Sequence, residues 1–319
     1  MRLPAEWERQ SGVQLTWPDE TTPWHDLPGV QACYEKIAAA IGRFEKVVTV
    51  RSSGIPVNDT WARDHGGISV YGDRGEKLLL DFVFNGWGLK FPSDLDNQIT
   101  RRMFERGVFA PEVRLVDKRP FVLEGGSIDC DGSGTLMATS ECLLSRNRNE
   151  HLSRPEIESS LKEAFGLERI LWVDHGRLSG DDTDSHIDIL ARFCAKDTIA
   201  YVQCGDKEDA DYASLKAMEE QLRAFRTPDG KPYRLVPLPK PAQTFLDGYP
   251  LPASYANFLI INGAVLVPGV EKPTDAVARE RLQEVFPDRE VILIDCRLLL
   301  SGHGGLHCVT MQFPEGWLK

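Results

Sequence analysis

No stretch of this 319-residue chain is apolar enough to cross a bilayer. The longest apolar run, residues 256–267, has twelve residues and is broken by Asn257, Asn262 and Gly263. The opening MRLPAEWERQ is polar and charged, so no signal peptide is expected. Positive charge is also scarce. With 37 Lys+Arg against 48 Asp+Glu the formal net charge is −11, which argues against a nucleic-acid backbone or an anionic membrane as the main partner. Seven cysteines make an odd number, and no two are separated by only two residues, which removes the C-x-x-C spacings of zinc and thioredoxin-type sites. A disulfide framework is not expected at this size. There is no G-x-G-x-x-G, no P-loop, and no G-x-S-x-G around Ser127 or Ser179. A reducing, cytoplasmic compartment is therefore expected, with the Asn58-Asp59-Thr60 sequon a chance match.

What is present is an ordinary globular composition, 42% hydrophobic and 27% charged, in a chain long enough to bury most of its unfolded surface. Hydrophobic periodicity gives a recurring helix-then-strand order. Val30, Cys33, Ile37, Ile41 and Phe44 form a helical stripe before the β-rich 46–50. A second helix, capped by Ser93 and carrying Leu95, Ile99 and Met103, ends at Gly107 before 112–116. Ser153 and Glu156 fit a capping box for a third, with Ile157, Leu161 and Phe165 inside and Gly166 as its stop, before 169–173. Leu215, Met218, Leu222 and Phe225 mark a fourth before 233–237. Thr274 caps a fifth, carrying Val277, Leu282 and Val285, before 290–295. The helix-following strands recur every 57–66 residues, a structural repeat without repeated residue identities. Further strand-like runs at 77–84, 134–138, 198–204 and 264–268 lie between the helices. No linker divides the chain, so a single α/β domain spanning 1–319, ring-like and built of five units, is expected. A doubly wound α/β sheet is the alternative that spacing leaves open.

Each unit is followed by a segment of small and reactive residues: NDTWARD at 58–64, EGGS at 124–127, GDDTDSHID at 180–188, SYAN at 254–257 and GHGGLHC at 302–308. If the units are equivalent, these segments converge at one end of the ring, where loops on a rigid scaffold carry chemistry. Cys308 has glycines and two histidines, His303 and His307, beside it. A thiolate nucleophile and a buried core cysteine are both compatible with that setting. Around His186 stand Asp181, Asp182, Asp184 and Asp188. Metal ligation is one reading and an acid/base histidine the other, with Asp188 on the same face of an extended segment. Glu124 is either a solvated turn residue or the carboxylate that orients His186. Arg63–Asp64 is either a weak surface ion pair or, with Trp61 beside Asp64, part of a cation receptor.

At these segments the sequence resembles the agmatine deiminase / bacterial peptidyl-arginine deiminase family of guanidino-group-modifying enzymes. The matching stretches run in order through nearly the whole chain: LPAEW with TWP, NDTWARDHG, FNGWGLKF, EGGSIDCDGSGT, RNRN, GDDTDSHID, LPASYANF and GGLHCVT. Departures fall at Gly67, Ser185 and Leu306, where the family usually has Pro, Gly and Asn. The resemblance implies a five-bladed α/β-propeller (pentein). It implies Cys308 as nucleophile, His186 as base and acid, Glu124 as its partner, Asp64 and Asp188 as guanidinium-binding carboxylates, and Asn257 as a further site residue. Trp61 is a candidate for the substrate tail.

The chemistry fits those residue types. Two carboxylates can bind a planar guanidinium and hold its carbon over sulfur, and no metal or organic cofactor is needed. Agmatine is the expected substrate, with peptidyl-arginine or another small guanidine as the rival, and a homo-oligomer is compatible. A Cys-His-Asn peptidase made of Cys308, His186 and Asn257 is disfavoured, because paired carboxylates would repel an oxyanion. A non-catalytic binding scaffold remains a further alternative that fold alone does not settle.

Overall fold

The computed structural model describes residues 1–50 and 54–319. Among the described residues, five three-stranded sheets share one plan. In chain order the first joins Thr310–Pro314, Gln10–Leu15 and Lys46–Thr49. The second joins Ile68–Tyr71, Lys77–Val83 and Val113–Val122, and the third Ile128–Cys130, Thr135–Thr139 and Arg169–Val173. The fourth joins Ala191–Ala195, Thr198–Gln203 and Arg234–Pro239, and the fifth Leu259–Ile261, Ala264–Gly269 and Glu290–Asp295. In every sheet the middle strand runs antiparallel to the first and parallel to the third. Parallel neighbours need a crossover, and a helix supplies it each time: Leu27–Gly42, Ile99–Glu105, Arg154–Phe165, Tyr212–Ala224 and Thr274–Val285. The first sheet takes a strand from each end of the chain. A separate hairpin pairs Thr244–Leu246 with Tyr249–Leu251.

Middle strands such as Thr135–Thr139 and Ala264–Gly269 are buried at every position, which explains why they read as continuous apolar runs instead of alternating ones. The 169–173 and 290–295 strands lie where the periodicity puts them, whereas the 112–116 strand continues to Val122. Val277 is exposed, and Ala278 and Leu282 form the buried stripe of the last helix instead. Thr274 opens that helix as its first residue and is not its cap. Among the described residues no helix is long and apolar enough to cross a membrane.

The Ser153–Glu156 capping box is present, with Ser153 N and Oγ donating to Glu156 Oε2 at 2.7 and 2.6 Å. Gly166 ends the helix in the left-handed region at φ 67°, and a Cβ there would run into the Met1 carbonyl. The N-terminal stretch of chain is pinned beside it, with Leu3 N donating to Phe165 O at 3.0 Å. Gly166→Ala should therefore cost more than the ~1 kcal/mol of a left-handed alanine. Urea unfolding of the variant checks this: an unchanged midpoint would contradict the packing described.

Candidate active site

The five reactive segments stand at equivalent places, each immediately before the first strand of a sheet. Asp64 precedes Ile68–Tyr71, Glu124 precedes Ile128–Cys130, and His186 with Asp188 precedes Ala191–Ala195. Asn257 precedes Leu259–Ile261, and Cys308 precedes Thr310–Pro314. A cavity of about 230 Å³ is lined by Asp64, His186, Asp188 and Cys308, with Trp61 and Trp87 on its walls. The segment carrying His186 and Asp188 is not extended as expected. His186 precedes a 3₁₀ turn, Ile187–Ile189, and the turn still delivers both side chains to one cavity.

Cys308 Sγ lies 3.7 Å from Asp188 Oδ2 and receives Asn257 Nδ2–H at 3.3 Å. Burial pushes its pKa well above the ordinary thiol value, and the charges of Asp188 and Asp64 push it the same way. Asp188 is fully buried. Its Oδ2 meets His307 Nδ1 at 2.8 Å and Asn257 Nδ2 at 3.2 Å, whereas its Oδ1 has no hydrogen-bond partner. Burial opposes the Asp188 carboxylate, but His307, His186 and Arg192 outweigh it and hold the pKa below the usual range. Asp64 accepts from Trp87 Nε1 at 2.8 Å and from Gly126 N at 3.0 Å, and burial raises its pKa to about 6. Asn257, expected to bind substrate, is turned to the thiol and Asp188 and is not among the residues lining the cavity.

His186 Nδ1 sits 3.6 Å from Asp64 Oδ1, and Nε2 makes no hydrogen bond. Burial disfavours its cation, yet Asp64, Cys142 and Glu124 raise its pKa well above the histidine norm. Cys142 is itself pushed up by burial and is a neutral thiol, so the carboxylates dominate that shift. Glu124, expected to orient His186, has Arg148 as its hydrogen-bond partner. Arg148 Nε takes both of its oxygens, at 3.0 and 2.9 Å, with both side chains at 0% exposure. Glu124 therefore acts on His186 through charge. Arg148 also donates to Asp184 Oδ2 at 2.6 Å and Thr183 O at 3.0 Å, which ties the His186 segment to Glu124. The second glycine of the 124–127 segment has a steric reason. A Cβ on Gly126 would lie 2.7 Å from His186 Nδ1 and 2.8 Å from Asp64 Oδ1.

Sequence reasoning missed three contributors. Arg148 lies in the RNRN stretch, which was matched without a role. Trp87 reaches Asp64 because Gly86, Trp87, Gly88 and Leu89 are all left-handed (φ 69°, 56°, 82° and 66°), a turn signalled only by the paired glycines. Glu6 lies in the LPAEW stretch, which was also matched without a role. The two histidines beside Cys308 do not touch its sulfur: His303 Nδ1 contacts Gly180 O at 2.8 Å, and His307 faces Asp188 and Glu6. Arg63 turns away from Asp64 and lies 3.7 Å from Glu6, so the surface ion-pair reading fails.

Fold and site together define a class, the α/β proteins that set a buried cysteine against paired carboxylates and a histidine. Residues 2–314 match the Porphyromonas-type peptidyl-arginine deiminase family, and the chain belongs to it. The agmatine deiminase of Pseudomonas aeruginosa (strain LESB58) is 36% identical over 98% of this chain and 95% of its own length. A solved agmatine deiminase from C. jejuni, a cysteine-to-serine variant with substrate bound, matches with TM-score 0.92 and 36% identity over 100% and 97% of the two chains. A Porphyromonas gingivalis chain provisionally described as an arginine deiminase matches with TM-score 0.95 and 50% identity over 99% of each.

This geometry bears on two measurements. Iodoacetamide should alkylate Cys308 slowly at neutral pH, and Asp188→Asn should speed alkylation roughly threefold or more by removing a negative neighbour. Mass spectrometry of both proteins checks this, and equal rates would refute the charge coupling. Glu124, Cys142 and His186 also offer ligand atoms within 4.8 Å of one another. A cation there would have to displace the Arg148 guanidinium from both oxygens of Glu124, so a chelator should leave turnover unchanged. Activity lost to chelation and restored by zinc would establish a metal centre instead.

Proposed function

We propose that this protein hydrolyses the guanidino group of agmatine to N-carbamoylputrescine and ammonia, with Cys308 as the nucleophile. One observation carries the reading: a fully buried, ionised Asp188, whose Oδ2 lies 3.7 Å from the Cys308 sulfur, keeps an unpartnered Oδ1. A buried acceptor without a donor is costly, and a guanidinium N–H answers it while bringing the electrophilic carbon to the thiol. Asp64 receives the other side of the cation. The bound positive charge lowers the thiol pKa, the thiol proton passes to solvent, and the thiolate attacks the guanidinium carbon to give a tetrahedral adduct. His186 donates its proton to the leaving nitrogen, and ammonia departs, leaving an S-alkylthiouronium on Cys308. Water, deprotonated by the same ring, attacks that carbon and releases the ureido product and the free thiol.

The cavity lining also supports an amine tail. Among the described residues its lining includes Asp59, Asp181 and Asp182 and no lysine or arginine. An ammonium is complementary to these carboxylates, whereas the α-carboxylate of free arginine is repelled. Trp61, packed against Trp24 with ring centroids 5.5 Å apart, offers the tail an aromatic wall. The names of the P. aeruginosa and C. jejuni relatives support the same substrate.

The five sheets of one plan, with site residues at equivalent positions, support one five-bladed α/β-propeller domain spanning 1–319. Seven free cysteines support a reducing, cytoplasmic setting.

Burial raises Asp59, Asp64 and Asp182 to about 6 each. These carboxylates are ionised above that value and neutral below it, whereas agmatine stays dicationic throughout. The KM for agmatine should therefore fall as pH rises from 5 to 7 and then level. A panel of agmatine, free arginine and arginyl peptides, with ammonia and ureido detection, tests the substrate. Agmatine should be preferred, and Asp59→Asn should raise its KM roughly fivefold or more, the scale of one lost charge contact. Preference for arginyl peptides would replace agmatine with peptidyl-arginine and keep the chemistry. No turnover of any guanidine would overturn the proposal.

A further inference from the structure

Behind Asp188 runs a buried chain of polar groups that the reaction itself does not use. His307 Nδ1 lies 2.8 Å from Asp188 Oδ2, and its Nε2 lies 2.8 Å from Glu6 Oε2. Glu6 in turn accepts from Arg192 Nη2 at 2.8 Å and from Ile260 N at 2.7 Å. All four side chains are buried. Glu6 and His307 are not among the residues lining the substrate cavity. They line a separate small cavity together with Arg63, Asp129 and Gln312, and so do not contact a guanidinium above Cys308.

Resting on the guanidine reading above, we propose that Glu6 and His307 are positioning residues for Asp188. Glu6 fixes the ring of His307, the ring holds Oδ2, and Oδ1 is thereby the oxygen presented to the substrate. The carboxylate torsion of an aspartate is broad and roughly two-fold, so nothing intrinsic distinguishes its two oxygens. Here every polar contact falls on Oδ2: His307 Nδ1, Asn257 Nδ2 at 3.2 Å and Cys308 Sγ at 3.7 Å. A flip of the imidazole would exchange Nδ1 and Nε2 for carbons and lose both 2.8 Å contacts, so Glu6 locks the ring orientation that serves Asp188. Glu6 is held in place by Arg192. The charged groups facing the ring are Arg192, Arg63, Glu6 and Asp188.

Two variants that each delete the ring separate positioning from packing. The amide of His307→Asn reaches the place of Nδ1 and can still donate to Asp188, whereas that of His307→Gln reaches the place of Nε2 and cannot. His307→Asn should keep the agmatine KM within about threefold, and His307→Gln should raise it by about tenfold or more, the scale of a hydrogen bond to a charged group. Calorimetric binding of agmatine on a Cys308→Ala background should show the same split without turnover. Equal impairment of the two variants means packing alone and overturns the proposal. A measurement on the wild-type protein decides the matter if neither variant folds. Because both carboxylates can only accept, nitrogen-15 spectra should show His307 protonated at Nδ1 and at Nε2, and a bare Nδ1 overturns the proposal. If the wild type turns over no guanidine, the functional reading fails, and the Nδ1 proton still tests the positioning of Asp188.

Discussion

A carboxylate at 0% exposure must find its hydrogen bonds inside the protein, and Asp188 is in that position. Its Oδ2 is met by His307 and Asn257, and its Oδ1, equally buried, has no hydrogen-bond partner. Holding such a group ionised requires surrounding positive charge. That requirement accounts for much of the buried polar structure: Arg192 at 1% exposure, His186 at 1%, and His307 linking Asp188 to Glu6. Arg192 also donates to Phe258 O at 2.7 Å and lies 3.5 Å from Asp129 Oδ2. One guanidinium thus joins the third sheet and the segment before the fifth to the N-terminal segment. The charges at the centre are compensated by partners from several units, so no unit could hold its share of the site alone.

The same logic applies on the other side of His186. Glu124 and Arg148 are a fully buried ion pair, an arrangement that is costly to break because removal of one partner strands the other. The pair continues through Asp184 to Lys90, whose Nζ lies 2.7 Å from Asp184 Oδ1. Lys90 closes the left-handed turn that carries Trp87, and Trp87 donates to Asp64. The carboxylate expected to orient the histidine therefore belongs to a network that also positions the opposite carboxylate. Asp64, with its pKa near 6, and Asp188, held low, differ because burial and the charges of Asp188 and Glu124 outweigh His186 and Trp87 at Asp64, whereas His307, His186 and Arg192 outweigh burial at Asp188.

The repeat explains why a site can be assembled from such distant positions. Each sheet begins just after a short irregular segment, and the five segments contribute Cys308, Asp64, Glu124, His186 with Asp188, and Asn257. Those segments face one another although up to 244 residues separate Asp64 from Cys308. The departures from the family pattern sit beside these residues without replacing them. Leu306 is buried in the core cluster that also includes Cys308, and Ser185, left-handed at φ 63°, adopts a conformation that glycine takes more readily.

The sequence by itself determined the α/β class, the five helix-and-strand units with most of their boundaries, and the reactive segments. These properties are local, because hydrophobic period, capping box and glycine stop act within a few residues. It also nominated Cys308, His186, Asp64, Asp188, Glu124 and Asn257, since their residue types and neighbours match a family pattern. Only the tertiary structure decided what each of these touches. That Glu124 is bound by Arg148 and acts on His186 through charge, that Asn257 serves the thiol, and that Glu6 reaches Asp188 through His307 depend on partners 24, 51 and 182 residues apart in the chain. The extended form expected at 186–188 gave way to a 3₁₀ turn for the same reason. Contacts across the chain outweigh local preference where buried charges must be paired.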